Sequence, residues 1–240
     1  MTKLIIVLSF VFSFSAVSAP FLFNEFREEI KEMAEKNHQS VSSYSQARKE
    51  ILQKVHLEKD SNGYFVKDVY CKIDYRTKVG PNTMPNSNYL NIEHTWPKSK
   101  FGVRKGTSKY NIMVSDLHHL YPSDSKANST RSNHAFAQFK NGQPLSDCPF
   151  SKIDYDASSG KQGFEPPEDH KGNVARALFY MAVRYDLKIS ASEEFYLKQW
   201  NIMDPVDSEE IRRNNEIADI QGNRNPFVDD SELVELIQDF

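Results

Sequence analysis

The stretch Asn91-Ile92-Glu93-His94-Thr95-Trp96-Pro97 sets a carboxylate beside an imidazole, and two more polar stretches follow it. These are Asp116-Leu117-His118-His119-Leu120-Tyr121-Pro122 and Asn128-Ser129-Thr130-Arg131-Ser132-Asn133. Each is weak evidence alone, because a single histidine is more often a hydrogen-bonded core residue than a catalyst. Together they supply a carboxylate, an amide oxygen, imidazoles and a guanidinium, which is a set that could form one catalytic site.

This set of groups favours metal-dependent hydrolysis of phosphodiester bonds. A zinc hydrolase needs three nitrogen or sulfur ligands or an H-E-x-x-H helix, and a serine hydrolase needs a G-x-S-x-G turn; neither pattern occurs. A carboxylate and an amide oxygen instead suit a hard cation such as Mg²⁺. Histidine titrates near neutrality and can act as a general base, while arginine offers several donors to a phosphate.

The motifs resemble those of the endonuclease I family, which are bacterial periplasmic and secreted nucleases with little sequence preference. Their active site is a ββα-metal (His-Me) finger. The resemblance runs from about Cys71 to Asp229 and includes Glu-His-x-x-Pro at 93–97, the stretches 116–122 and 128–133, Phe164-Glu165-Pro166-Pro167 with Val174-Ala175-Arg176, and Gln221-Gly222-Asn223-Arg224-Asn225-Pro226-Phe227.

The resemblance implies that His94 is the general base and that Glu93 and Asn128 hold one divalent cation. We expect Mg²⁺, with Ca²⁺ or Mn²⁺ as alternatives. Since neighbouring residues of a strand point to opposite faces, and both Glu93 and His94 must face the site, we expect a bend or bulge there.

Four further residues receive roles on the same basis. Arg131, one turn after Asn128, either binds a phosphate of the substrate or forms a structural ion pair, and the sequence leaves both alternatives open. Arg104 falls where the family places an arginine that stabilises the leaving group. Asp116 and His118 are expected to orient the site without touching the substrate, since metal sites depend on such partners.

A run of cations follows the Glu93–His94 pair in a chain whose net charge is −3. No acid interrupts the run, whereas acids gather in the last twelve residues. A charge run is usually a solvated face, but this one could bind the phosphates of a nucleic acid beside the catalytic pair. The predicted wall of the groove consists of Lys98, Lys100, Arg104, Lys105 and Lys109.

Residues 1–19 have the pattern of a secretory signal peptide. Lys3 precedes an apolar run, and the small residues Ala16-Val17-Ser18-Ala19 offer a cleavage site. We therefore expect an exported protein, periplasmic or extracellular, with one nuclease domain over residues 20–240. Cys71 and Cys148 are the only two cysteines, and in an exported protein an isolated pair usually forms a disulfide.

The periodicity predicts helices near 21–37 and 43–56, short strands between 63 and 92, and a short helix after Ser123 or Asp124. An irregular stretch around Cys148 follows, and then helices at 169–186, 192–203, 208–220 and 231–240. The fold class is α+β, a single domain of helices around a small irregular β-centre that carries the ββα-metal finger.

The sequence thus predicts an exported, metal-dependent, non-specific endonuclease that acts on DNA and RNA. We expect a monomer with no obligatory protein partner and no membrane attachment after signal cleavage. Two alternatives remain open at this stage: a metal-dependent phosphodiesterase for small nucleotides, and a nucleic-acid-binding protein without catalysis. A basic groove would favour a polymeric substrate over a small one.

Overall fold

A short antiparallel β-ribbon followed at once by a helix lies at the centre of the computed structural model, which describes residues 19–240. The predicted signal peptide lies outside the described residues, except for Ala19, where the first helix begins. The helices are α1 (Ala19–Glu35), α2 (Tyr44–Glu50), α3 (Ser108–Ser115), α4 (Ser125–Arg131), α5 (Lys171–Tyr185), α6 (Ala191–Met203), α7 (Ser208–Gln221) and α8 (Pro226–Asp229).

The strands form three small sheets. Their bounds are β1 (Glu58–Asp60), β2 (Gly63–Lys67), β3 (Asp74–Tyr75), β4 (Leu90–His94), β5 (Leu120–Asp124), β6 (Ala135–Phe136), β7 (Gln143–Leu145), β8 (Cys148–Tyr155) and β9 (Gln162–Glu165). The sheets have the orders β1-β2-β3, β4-β5 and β6-β9-β8-β7. The α+β prediction is confirmed. The stretch around Cys148, expected to be irregular, instead forms most of the four-stranded sheet.

Helix α5 is the centre of the helical layer, and every residue from Lys171 to Tyr185 is buried. It packs against α1, α6 and α8. Its three cations are paired, as buried charges must be. Lys171 contacts Glu165 at 2.8 Å, Arg176 binds Glu210, and Arg184 contacts Asp116 at 2.7 Å.

The ribbon β4-β5 and helix α4 form a continuous ββα unit. The ladder pairs Leu90 with Asp124 and runs without a shift to His94 opposite Leu120. The bulge expected at Glu93 and His94 is therefore wrong. As predicted, Asp124 caps α4, because its carboxylate accepts the backbone N–H groups of Lys126 and Ala127.

Cys71 and Cys148 form a disulfide, which confirms the predicted pairing. It ties the loop after β2 to the start of β8. Within the described residues, no helix is both long enough and apolar enough to cross a membrane.

We expect the double substitution Cys71→Ser/Cys148→Ser to lower the free energy of unfolding by about 4 kcal/mol. The bridge spans 77 residues, and closing a loop of that length removes conformational entropy from the unfolded chain. Urea unfolding of the oxidised protein and of the variant measures the difference. Equal midpoints with equal slopes would contradict this expectation.

Candidate active site

His94 ends strand β4 and is buried, with 5 % of its surface exposed. Its Nε2 lies 3.1 Å from the Val114 carbonyl oxygen. A carbonyl only accepts, so Nε2 carries the proton and Nδ1 keeps its lone pair. Burial holds the pKa of His94 well below its ordinary value of 6.5, and the charges of His119 and Lys98 lower it further. The imidazole is therefore neutral at physiological pH, as a general base must be.

Glu93 precedes His94 and is 2 % exposed. Its Oε1 accepts a hydrogen bond from the Tyr70 hydroxyl at 3.0 Å and lies 3.1 Å from Nη1 of Arg131. Burial raises the pKa of Glu93, while Arg131, the Tyr70 hydrogen bond and Lys98 oppose that rise. Among the hydrogen bonds of residues 19–240, none reaches Oε2, so this oxygen is available to a cation.

Asn128 is half-buried on α4, one turn before Arg131. Its side-chain amide makes no hydrogen bond to any described residue. Within residues 19–240, no group of three or more His, Cys, Asp or Glu side chains clusters as a metal site. The chain therefore offers one carboxylate and one amide oxygen here. A cation such as Mg²⁺, which keeps most of its waters, suits so small a ligand set.

Glu93 and His94 share one environment although they leave β4 on opposite faces. The charges of Lys98 and Arg131 act on the pKa of both. The Tyr44 ring lies 5.1 Å from the His94 ring, and the Glu93 charge raises the pKa of Tyr44. Lys98 in turn lies over the Tyr44 ring, 5.5 Å from its centroid. The end of β4 thus brings both proposed catalytic groups to one place.

Arg131 is 1 % exposed, and both of its terminal nitrogens, Nη1 and Nη2, contact protein groups. Besides Glu93, it donates to the carbonyl oxygens of His94 at 3.3 Å and Thr95 at 2.7 Å. These contacts favour the ion-pair alternative over a contact with substrate phosphate. A guanidinium held in this way fixes the backbone on which both Glu93 and His94 stand.

Asp116 and His118 lie behind this site. Asp116 is fully buried and accepts hydrogen bonds from Tyr185 at 2.7 Å, from Arg184 and from Gln221. Burial alone would raise the pKa of Asp116. The charge of Arg184, together with the other partners, has the larger effect, so the pKa of Asp116 lies below its ordinary value. His118 donates to the Asn223 carbonyl at 3.1 Å. Neither touches Glu93, His94 or Asn128, but Asp116 ends α3, whose Val114 carbonyl holds His94.

Three contacts of the site were not predicted from the sequence: those of Tyr44, of Tyr70 and of the His119 ring with the His94 ring. The His119 ring meets the His94 ring edge-on at 5.3 Å, and its Nε2 donates to the Met113 carbonyl. Asp68 positions Tyr70, because its carboxylate accepts the Tyr70 backbone N–H at 2.9 Å. The same carboxylate accepts the N–H of Asp124, the cap of α4. No motif in the sequence marks these long-range contacts.

The five cations of the predicted groove do not share one surface cavity. Lys98 lies over the Tyr44 ring, and its charge acts on the pKa of Glu93 and His94. Lys100 lines a cleft with Asn133, whereas Lys109 lines a different one with Lys31 and Arg184. The remaining two, Arg104 and Lys105, are exposed on the loop before α3.

We expect the protein to lose stability steeply as the pH falls below about 6.5. Burial lowers the pKa of each of the five buried histidines, to about 3 for His118 and His170 and about 4 for His119, with His56 and His94 also lowered. The unfolded chain binds these protons near pH 6.5 and the folded chain does not. Each histidine therefore lowers the free energy of unfolding by about 1.4 kcal/mol for each pH unit below 6.5, until the pH reaches the pKa of that histidine in the folded chain. Urea unfolding between pH 7.5 and 5 tests this, and a flat stability across that range would contradict it.

The sequence model of the family described as Endonuclease I matches residues 22–232. The chain is 39% identical over 167 residues to an extracellular ribonuclease of Bacillus subtilis (strain 168), covering 61% of this chain and 53% of that protein. It is 31% identical over 150 residues to a periplasmic deoxyribonuclease of Aeromonas hydrophila, covering 57% and 62%.

It is also 30% identical over 218 residues to an Endonuclease-1 of Buchnera aphidicola subsp. Baizongia pistaciae (strain Bp), covering 80% of this chain and 84% of that protein. The chain spans about half the length of the similar Bacillus ribonucleases.

Proposed function

The chain belongs to the endonuclease I family, and from that premise we propose that it is an exported endonuclease that hydrolyses phosphodiester bonds of DNA and RNA. The observation that carries the proposal is the neutral His94, whose Nδ1 has no hydrogen-bond partner among the described residues; its strand β4 also carries Glu93 and contacts α4, which carries Asn128. Similarity to proteins named as ribonuclease and as deoxyribonuclease supports both substrates. The names of these relatives also support a periplasmic or extracellular location.

In this proposal, Oε2 of Glu93 and the amide oxygen of Asn128 hold one divalent cation, Mg²⁺ by preference for hard oxygen ligands. When bound, such an ion polarises the phosphate and neutralises charge that develops on its oxygens. The ion pair with Arg131 and the Tyr70 hydroxyl keep Glu93 in place through its other oxygen. Family members depend in general on divalent metal ions.

Nδ1 of His94 takes a proton from the attacking water as the water oxygen bonds to phosphorus. The bond from phosphorus to the leaving sugar oxygen breaks, and that oxygen takes a proton from solvent. The Val114 carbonyl fixes the tautomer and stabilises the imidazolium that forms. Asp116 and His118 act as positioning residues, because they anchor the end of α3 that carries this carbonyl. Arg104 is exposed on the adjacent loop and is free to stabilise the leaving oxygen.

The simplest test incubates the purified protein with supercoiled plasmid and with single-stranded RNA, each with and without EDTA. The proposal expects both to be cut internally and both reactions to stop in EDTA. Cleavage that continues in EDTA would contradict the metal, and cleavage of small nucleotides alone would favour the phosphodiesterase alternative. Binding without cleavage under all metals tested would favour the non-catalytic alternative.

We expect Glu93→Ala and Asn128→Ala each to raise the Mg²⁺ concentration needed for half-maximal cleavage, or to abolish turnover. Each removes one of only two protein oxygens proposed for the ion. Asn128→Asp keeps an oxygen and adds a charge, so it should retain activity with an altered preference among Mg²⁺, Mn²⁺ and Ca²⁺. The measurement is a metal titration of the initial rate, and unchanged curves for both alanine variants would place the ion elsewhere.

A further inference from the structure

A cleft of about 620 Å³ lies directly beside the ββα unit. Its size falls in the range of cavities that bind small organic ligands. The buried part of its lining is apolar and includes Trp96, Pro97, Leu178 and Ile189. The exposed part carries three lysines, namely Lys100, Lys161 and Lys188. Two of these lysines lie outside every motif described above.

The three lysines are not neutralised by the protein. None of them forms a salt bridge with a residue in the range 19–240, whereas Lys152, Lys171 and Lys198 all do. Glu193 is the carboxylate that lines the cleft, and its Oε1 already accepts the Phe136 N–H at 2.8 Å. The cleft is therefore locally cationic in a chain of net charge −3.

The charges within the cleft also act on one another. Partial desolvation of the Lys100 ammonium at the cleft wall lowers its pKa, and the charges of Arg131 and Lys161 lower it further, while Glu193 opposes them. An anion beside Lys100 would relieve this repulsion. The lysines around the cleft are thus suited to a polyanion.

The cleft is joined to the proposed catalytic centre through the backbone. Trp96 and Pro97 lie just after His94 in the chain, and Asn133 lies just after Arg131. The Asn133 amide donates to Ser99 Oγ at 3.3 Å, which holds the two segments together at the cleft. The cleft is therefore lined by residues that directly follow, in the chain, the segments that carry the proposed catalytic groups.

We propose that this cleft binds an unpaired nucleotide of the substrate strand, next to the phosphate that is cut. Lys100, Lys161 and Lys188 contact its phosphates, and the apolar lining packs against its base or sugar. A base held in a duplex cannot reach a buried apolar surface without unpairing, so the cleft favours single strands. The assignment rests on the proposed nuclease function, because it takes the strand as the ligand.

The test compares the triple variant Lys100→Gln/Lys161→Gln/Lys188→Gln with the control Lys36→Gln/Lys59→Gln/Lys78→Gln. The control removes the same charge from exposed lysines that neither line this cleft nor form a described salt bridge. The probes are a short labelled single strand and a hairpin duplex of the same length. Binding is measured by fluorescence anisotropy in EDTA over a range of salt, and cleavage is measured separately with Mg²⁺.

Each phosphate contact on a single strand contributes about 0.7 to the slope of log affinity against log salt. The cleft variant should lose up to about 2 units of slope, and about a hundredfold in affinity at 0.1 M salt, on the single strand. Its loss on the hairpin should be much smaller. In cleavage, KM on the single strand should rise by a similar factor while kcat stays within a few-fold, and the control should resemble the wild type.

Binding in EDTA keeps this proposal separable from the proposed function. A wild type that binds the single strand through these lysines but never cuts it would contradict the nuclease and support the cleft. A wild type that cuts, with a cleft variant whose affinity and slope match those of the control, would overturn the cleft. Equal losses on single strand and hairpin would also overturn it, because an unpaired nucleotide would then have no part in binding.

Discussion

Replacing His94 with alanine should lower the rate of phosphodiester cleavage by about 10²–10⁴-fold, which is the range that a positioned general base contributes. The substitution removes Nδ1, the free lone pair that is proposed to take the proton from water. It leaves Glu93 and Asn128, so metal binding and nucleic-acid binding should persist. The rate is measured at saturating Mg²⁺ and substrate, and binding is measured in EDTA.

The structure offers a matched control in His118→Ala. Both imidazoles are buried, and each donates from Nε2 to a backbone carbonyl at 3.1 Å. The two substitutions therefore carry a similar structural cost, including one carbonyl left without its donor. Only His94 faces the proposed catalytic centre, so only its loss should reduce kcat by the full factor. Added imidazole should restore part of the activity of His94→Ala and none to His118→Ala.

Equal losses in the two histidine variants would remove the general base from the mechanism. Near-normal cleavage by a well-folded His94→Ala protein would do the same. Near-ultraviolet circular dichroism checks that both variants keep the native packing of the aromatic residues around these sites.

The parts of the fold that follow local rules could be predicted from the sequence. The sequence predicted that Ser123 or Asp124 caps α4, because both residue types accept backbone N–H groups at a helix start, and Asp124 is the cap. Helices α5 to α7 were predicted within a few residues because their apolar side chains recur with helical periodicity. The last helix was predicted too long: residues 226–229 form α8 and Ser231–Leu236 form a 3₁₀ helix.

The four-stranded sheet could not be predicted, because its longest strand has no alternating pattern. Along β8 the buried Cys148 is followed by the exposed Pro149 and Phe150 and then by the buried Ser151. A proline and a disulfide at the start of a strand resemble a loop in sequence. What makes β8 a strand is its antiparallel pairing with β7, which a two-residue loop separates from it, and with β9, which begins after a six-residue loop.

The site followed the same division. The resemblance of the motifs assigned roles to Glu93, His94 and Asn128, which lie on β4 and α4 of the ββα unit, and those roles stay a prediction. Tyr44 and Tyr70 reach the site from α2 and from the loop beside the disulfide, and only the tertiary fold brings them there. The β4-β5 ladder is regular at His94, so no bulge is needed to bring Glu93 and His94 to one site. Arg131 contacts the Glu93 carboxylate and also donates to the backbone carbonyl oxygens of His94 and Thr95, so one guanidinium links the Glu93 side chain to the backbone of its neighbours.

Arg131→Met should lower the free energy of unfolding by about 3–5 kcal/mol in EDTA, because it leaves the buried Glu93 carboxylate without a cation. Arg184→Met is the matched control, since it leaves the buried Asp116 carboxylate without its cation in the same way. Added Mg²⁺ should restore much of the loss in Arg131→Met, and more than it adds to the wild type, because the ion proposed to bind Glu93 replaces the missing charge. It should restore nothing to Arg184→Met, since Asp116 does not touch the proposed metal ligands. Urea unfolding with and without Mg²⁺ measures the free energy of unfolding of the wild type and of both variants.

An Arg131→Met protein of normal stability that instead loses affinity for nucleic acid would mean that Arg131 holds a substrate phosphate. Equal Mg²⁺ responses in both variants would mean that Glu93 does not bind the metal.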